Sequence, residues 1–300
     1  MIVTRKLNEQ TWIDLNSPDK EEIDSVVISQ GINPLLAKDF LAPTPKQTVE
    51  EFGESIYAVI HVPFFKNSQQ EYFEQEIDFL ITKNNLVTVR YESIDALHHF
   101  SKQIEVAEVL GRNQDSHLFF LVMQEVYKFA MDQVEYIQEE IKEVEKNIFK
   151  GLEKEMVWSI SNTSRKILSI NRTIGSQKII WSSLIDSHGH IFGDKFVKDS
   201  KKLMGEWERI MILVKNISDT IDELRETNNS MLSTKQNEIM KIFTILAFVT
   251  LPLSLIAAVF GMNTQHSPLA GFAYDFYAVL GIMLVAGLAM FTYFKYKKWI

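Results

Sequence analysis

The sequence contains no cysteine. Disulfide frameworks, thiolate metal centres and cysteine nucleophiles are therefore excluded. Proline is scarce, 7 in 300 residues, and none lies between residues 93 and 181. HExxH spacing, a glycine-rich phosphate loop and a nucleophile elbow are also missing, so nothing argues for an enzyme. Basic excess is lacking too: the formal net charge is −8, and Asp275 is the only acidic residue beyond Lys241. An acidic body of this kind is a poor nucleic-acid binder, which needs basic surface, but it attracts multivalent cations. Finally, charge of either sign is absent from residues 242–260 and from residues 276–294.

Those two uncharged runs approach the roughly 20 apolar residues a helix needs to cross a bilayer. Buried helices of soluble proteins are usually shorter and rarely uncharged on every side, so two membrane spans are expected. Lys235 and Lys241 precede the first run, and Lys295, Lys297 and Lys298 follow the second. The connection 261–275 holds no Lys or Arg. The positive-inside rule then places both termini in the cytoplasm and the connection outside, in a multi-pass protein of the cell membrane. Phe272, Tyr274, Phe276 and Tyr277 form an outer aromatic belt, and Tyr293, Tyr296 and Trp299 an inner one. The opening MIVTRKLNEQ has no apolar run of the secretory kind, so the preceding residues are expected to stay in the cytosol.

The first hundred residues read as an α/β domain. Strands are expected near residues 11–15, 55–62, 76–82 and 86–91, the last two joined at Lys83-Asn84-Asn85. Asn16-Ser17-Pro18-Asp19 offers caps and an N1 proline for a helix near residues 19–30. Residues 41–47 read as a loop. From 93 to 181 the pattern is helical, with Val134, Ile137, Ile141, Val144 and Ile148 on one stripe. Glu135, Glu139, Glu140 and Glu143 read as a solvated face. His188 and His190, among glycines, read as a turn between long helices.

From about residue 198 to 260 the only helix breakers are Gly205 and Pro252. Ile210, Ile217, Leu224 and Met231 recur every seven residues, with Leu213/Val214 and Thr220/Ile221 between them, giving a coiled-coil-like seam. One continuous helix that enters the membrane is the economical reading. Thr227, Asn228, Asn229, Ser230, Ser233, Thr234 and Asn237 then accumulate toward the first span, as a wet bundle axis would suit. Two spans cannot enclose water, so a pore requires several copies.

Gly261-Met262-Asn263 closes the first span and resembles the Gly-Met-Asn signature of CorA-type divalent-cation channels. The likeness continues through residues 237–244, through Leu251-Pro252-Leu253-Ser254 and through the basic-aromatic tail 295–299. Trp12-Ile13-Asp14-Leu15 with Pro18, and residues 77–90, are similar to the family's cytosolic domain. This resemblance covers nearly the whole chain. It implies an α+β cytosolic domain followed by long helices and two transmembrane helices, assembled with copies of itself as a funnel-shaped homopentamer in the lipid bilayer. The divisions it implies are an α/β domain 1–100, a helical region 101–197 and a long pore helix 198–260 that includes the span 242–260. An outer loop 261–275, a second span 276–294 and a basic tail 295–300 follow.

By position, the resemblance places Glu226, Asn237, Met240, Phe243, Leu251 and Ser254 along the pore, with Gly261, Met262 and Asn263 as selectivity filter and ion entrance. A ring of Asn263 carboxamides offers neutral oxygens to the water shell of Mg2+, an ion that sheds water reluctantly. A carboxylate ring there could hold the ion too firmly for conduction. Met240, Phe243 and Leu251 would make apolar rings able to gate by dewetting. Pro252 removes one helix hydrogen bond and permits a bend. Lys295, Lys297 and Lys298 form an inner basic cluster. The expected activity is passive, potential-driven uptake of hydrated Mg2+, with Co2+ and Ni2+ also passing. No cofactor is expected; Mg2+ is both transported and, inside the cell, regulatory. One departure stands out: the loop after Asn263 lacks the family's usual acids and carries His266, read as an exposed loop histidine. Two alternatives stay open, a Zn2+ transporter of the related ZntB type and a membrane-anchored coiled coil without transport.

Overall fold

The computed structural model describes all residues except 8, 67–70, 111–115, 189–190, 263–273 and 300. Contacts divide the chain into two compact units, Met1–Arg225 and Glu226–Ile300. The first begins with strands β1 (Ile2–Leu7) and β2 (Gln10–Asn16) and helix α1 (Lys20–Gln30). Two 3-10 turns, Pro34–Ala37 and Asp39–Leu41, lead to β3 (Thr48–Phe52), β4 (Ser55–Lys66), β5 (Glu71–Ile81) and β6 (Asn85–Arg90). Helices α2 (Asp95–Leu110), α3 (Leu118–Phe149), α4 (Glu153–Gly175) and α5 (Lys178–Ser183) come next, followed by a π-turn at Leu184–His188. Helix α6 (Asp194–Gly261) runs through both units, and α7 (Asp275–Tyr296) lies in the second.

The strands form one sheet in the order β1-β2-β6-β5-β4-β3. All its pairs are antiparallel except β2 with β6. Strand alternation sends residues to opposite faces. Ile13, Leu15, Tyr57, Val59, Leu80, Val87 and Val89 pack with Ile23, Val26 and Val27 of α1 and with Leu36 and Phe40 of the turns. The other face meets helices: Trp12 lies 5.2 Å from Phe100 of α2, and Phe79 lies 5.2 Å from Phe119 of α3. There Asp14 and Arg90 form a buried ion pair at 2.9 Å, and Thr88 donates to Asp14 at 2.7 Å.

Four of the strands lie where the alternating sequence predicts them, with extended limits. β4 continues past Pro63, which pairs with Glu74. This is permitted because β3 reaches only Val59, so from there β4 is an edge that needs no proline N–H. The short edge strands β1 and β3 are absent from the sequence reading, since charge interrupts their alternation. Pro18 does not take the first helical position that the sequence suggests. It precedes the N-cap and is not N1; Asp19 is the cap, accepting from Glu22 N at 2.8 Å while Glu22 reaches back to Asp19 N at 3.3 Å.

Among the described residues the helical stretch 93–181 forms four helices, broken between α3 and α4 at Gly151, whose φ of 91° favours glycine. Three of the four acidic residues singled out on α3 are paired: Glu139 with Lys142, Glu143 with Lys146, and Glu140 with Lys166 of α4 at 2.6 Å. His188 Nδ1 lies 3.0 Å from Ser183 O, within the π-turn; His190 lies outside the described residues.

The seam of α6 is filled within the chain. Leu203, Trp207, Ile210, Val214, Ile217, Ile221 and Leu224 are buried at alternating steps of four and three. That pattern selects Val214 over Leu213 and Ile221 over Thr220, and Met231 is only partly shielded. Trp207 Nε1 donates to Ile174 O at 2.8 Å, and Arg225 reaches Ser164 Oγ at 3.1 Å, so α4 runs antiparallel to α6. The stripe on α3 and Ile160, Ile167, Ile170 and Ile174 of α4 are buried too, giving this unit a three-helix core.

Candidate functional site

The unit Glu226–Ile300 holds two helices long and apolar enough to cross a membrane, and neither is buried within the chain over its apolar stretch. A large apolar side chain left in water forgoes about 1.5–3 kcal/mol of burial. Phe243, Leu251 and Leu255 are 60%, 67% and 64% exposed. Such a surface is tolerable only against lipid or further protein.

The partly shielded residues mark how the hairpin closes. On α6, from residue 244, they are Thr244, Ile245, Val249, Pro252, Leu253, Ile256 and Phe260; on α7 they are Val279, Met283, Ala286, Gly287 and Met290. Both sets recur every three or four positions, as one helix face requires. An aromatic cluster fixes one end. Phe294 is buried, with Phe248 of α6 edge-on at 6.5 Å and Trp299 stacked on it at 5.8 Å. Lys298 takes a left-handed backbone (φ 55°), which turns Trp299 back so that its N–H reaches Phe294 O at 3.0 Å. Lys241 Nζ reaches Lys298 O at 3.5 Å. Of these three aromatics the sequence places only Trp299, in the inner belt; Phe248 and Phe294 are not singled out by it.

Met240, Phe243, Leu251 and Ser254 share the opposite face of α6, away from α7, and all are exposed. Between them the same face carries Ala247, Ala258 and finally Gly261. At 100° per residue, Asn237 and Glu226 stand roughly 80° and 60° round from its centre. Both are exposed, so the six residues do not form one straight line. Ser254 Oγ donates to Leu251 O at 2.8 Å and Thr244 Oγ1 to Met240 O at 2.8 Å, so these hydroxyls are satisfied by their own helix. Pro252 lies inside α6, which continues unbroken to Gly261. Met262 N then bonds Val259 O at 3.4 Å as the helix ends. Asn263 and His266 lie outside the described residues. Lys295 is in the last turn of α7 and Lys297 is its C-cap, beside Lys298. Among the described residues no group of three or more His, Asp or Glu is arranged to hold a metal ion.

Residues 8–298 match the family model described as CorA-like Mg2+ transporter protein. The chain is 24% identical to the cobalt/magnesium transport protein CorA of Thermotoga maritima, over 99% of this chain and 85% of that protein. Its fold is similar to the complete CorA magnesium transporter of Methanocaldococcus jannaschii, with a TM-score of 0.85 at 19% identity, covering 97% of this chain and 92% of that one. A weaker likeness, TM-score 0.62 at 12% identity, links 76% of this chain to 90% of the ZntB cytoplasmic domain from Vibrio parahaemolyticus. With this full-length match, an α/β body, one long helix and an apolar hairpin, the chain belongs to the CorA-like Mg2+ transporter family.

Proposed function

We propose that this chain assembles as a homopentamer in the cell membrane and passes hydrated Mg2+ inward down the membrane potential. Co2+ and Ni2+ pass by the same route, and intracellular Mg2+ gates it. The observation that carries the reading is the face of α6 turned away from α7. It is exposed, uncharged through the apolar run, and small or hydroxylic at Ala247, Ser254, Ala258 and Gly261. Five copies of that face around an axis would give a narrow, weakly binding path, the condition for an ion to leave as readily as it enters. Gly261, Met262 and Asn263 serve as entrance, with Asn263 touching the ion through its water. Met240, Phe243 and Leu251 serve as apolar constrictions, Ser254 as a polar station, and Glu226 and Asn237 line the cytosolic approach.

In this reading both termini are cytosolic, residues 1–100 and 101–197 form the regulatory body, and 198–260 is the pore helix. Residues 261–275 form the outer loop, 276–294 the second span and 295–300 the inner basic tail. A divalent ion gains roughly 4.6 kcal/mol per 100 mV, so no coupled energy source is required. Reconstituted into vesicles under an inside-negative potential, the protein is expected to pass Mg2+. Asn263→Ala is expected to lower that flux about tenfold or more, a barrier rise of about 1.4 kcal/mol. An intact oligomer without Mg2+ flux would overturn the proposal, and undiminished flux in the variant would remove Asn263 from it. A second reading keeps the fold and changes the ion: the ZntB-domain likeness favours including Zn2+ in the same assay, and Zn2+ flux exceeding Mg2+ flux would select it.

A further inference from the structure

The polar groups on the α1-side face of β5 are unusual for a sheet interior. Glu74, Glu76 and Asp78 alternate onto that face with Leu80 of the core. Glu76 is buried and well supplied with donors: Thr44 N at 2.7 Å, Thr44 Oγ1 at 3.4 Å and His61 Nε2 at 3.2 Å.

Asp78, two residues along, is fully buried and poorly supplied. Its Oδ1 has no donor, and its Oδ2 lies 2.8 Å from the Tyr91 hydroxyl. That hydroxyl also lies 3.1 Å from the carbonyl oxygen of Asp39. Tyr91 has one proton for these two acceptors. A proton on Asp78 resolves the shortage: Asp78 donates to Tyr91, and Tyr91 donates to Asp39 O. It also avoids burying a second carboxylate beside Glu76, the more costly arrangement.

The cluster is wired to the helices. His61 Nδ1 lies 3.7 Å from Glu74, and Glu74 Oε1 accepts from Thr173 Oγ1 of α4 at 3.0 Å. The backbone carbonyl of His61 accepts from the buried Gln177 side chain at 2.7 Å, just beyond α4. Ile174, between those two contacts, receives Trp207 of α6.

We propose that Asp78 carries a proton, donated to Tyr91, and that its release to water is a pH-sensitive switch loosening the joint of the sheet with the end of α4. Once Asp78 is charged it repels Glu76, displacing the partner of the His61 imidazole that lies between Glu76 and Glu74, and with it both contacts to the helix end. Asp39 in the turn pushes the Asp78 carboxyl in the same sense; Tyr57 on β4, kept a neutral phenol by burial, and Glu50 on β3 are the further ionisable groups facing the cluster. The Arg172 guanidinium, 3.9 Å from Glu74, is the cation on the α4 side. Burial first and the Glu76 charge second hold the Asp78 carboxyl up, at about 8, while the Glu76 hydrogen bond holds His61 above its ordinary value.

The test uses the full chain in detergent and does not depend on which ion is carried. Infrared titration of the wild type is expected to show a protonated-carboxyl band at neutral pH that bleaches around pH 8 and is missing in Asp78→Asn. Hydrogen exchange, corrected for intrinsic rates, is expected to lose several-fold protection over residues 173–177 across the same range in the wild type only. A neutral-pH wild type without the band, a band that survives in Asp78→Asn, or pH-independent protection would each overturn the proposal.

Discussion

Between Leu203 and Leu224, α6 buries a residue at every third or fourth position; from 229 to 261 it buries none. The backbone is one helix throughout, so the difference lies in what each stretch was selected to face. The first stretch has a narrow stripe of Leu, Ile, Val and Trp amid charge, satisfied by α4 and the rest of its own unit. From residue 242 the second is apolar on nearly every side, and α7 covers only one face of it. An amphipathic stripe can be satisfied by one chain in water, whereas an all-round apolar surface calls for lipid and for neighbours.

That contrast can be broken by substitution, and the largest effect belongs to the body. Arg90→Ala leaves Asp14 charged and buried, and is expected to cost about 3–5 kcal/mol, read as loss of the first unfolding transition in denaturant. Ile217→Ala in the filled seam should cost about 2–5 kcal/mol by the same measurement.

A pH scan probes a subtler difference within the body. Asp78 titrates higher in the folded state than in the unfolded, so the native protein holds the extra proton. Stability is therefore lost as pH rises toward about 8, and His61, also raised, adds loss in the same direction as pH passes its folded value. His117 is lowered by burial and acts oppositely, losing stability only as pH falls through 6.5. From neutrality to about pH 8 the midpoint should fall, and Asp78→Asn should flatten the fall.

The smallest change is expected at Leu255, on the exposed run. Leu255→Ala should move the body's unfolding free energy by no more than about 0.5 kcal/mol, because Leu255 belongs to the other compact unit and is 64% exposed. A shift as large as that of Ile217→Ala would mean that the two stretches are not independent.

Much of this was legible in the residues, for reasons that can be named. Uncharged runs of the right length announce the hairpin helices whatever the rest of the chain does, because insertion depends on composition and length alone. Alternation announced β2, β4, β5 and β6, whereas β1 and β3 escaped because edge strands need only one paired side and tolerate charge. The Gly-Met-Asn triplet pointed to the family, and the full-length family match agrees. The aromatic clamp of Phe248, Phe294 and Trp299 was not legible, because it depends on which faces of two helices meet.

The sequence by itself determined the α/β opening, the long helix, the apolar hairpin and the acidic character of the body; each is a local consequence of period, length or charge. Tertiary structure alone decided that the α6 seam is filled from within the chain, and which of Leu213 or Val214 fills it. It alone brought His61, Glu74, Glu76, Asp78 and Tyr91 together from β4, β5 and the segment after β6. Protonation depends on distance, burial and the count of available donors, and none of these is written in the order of residues along the chain.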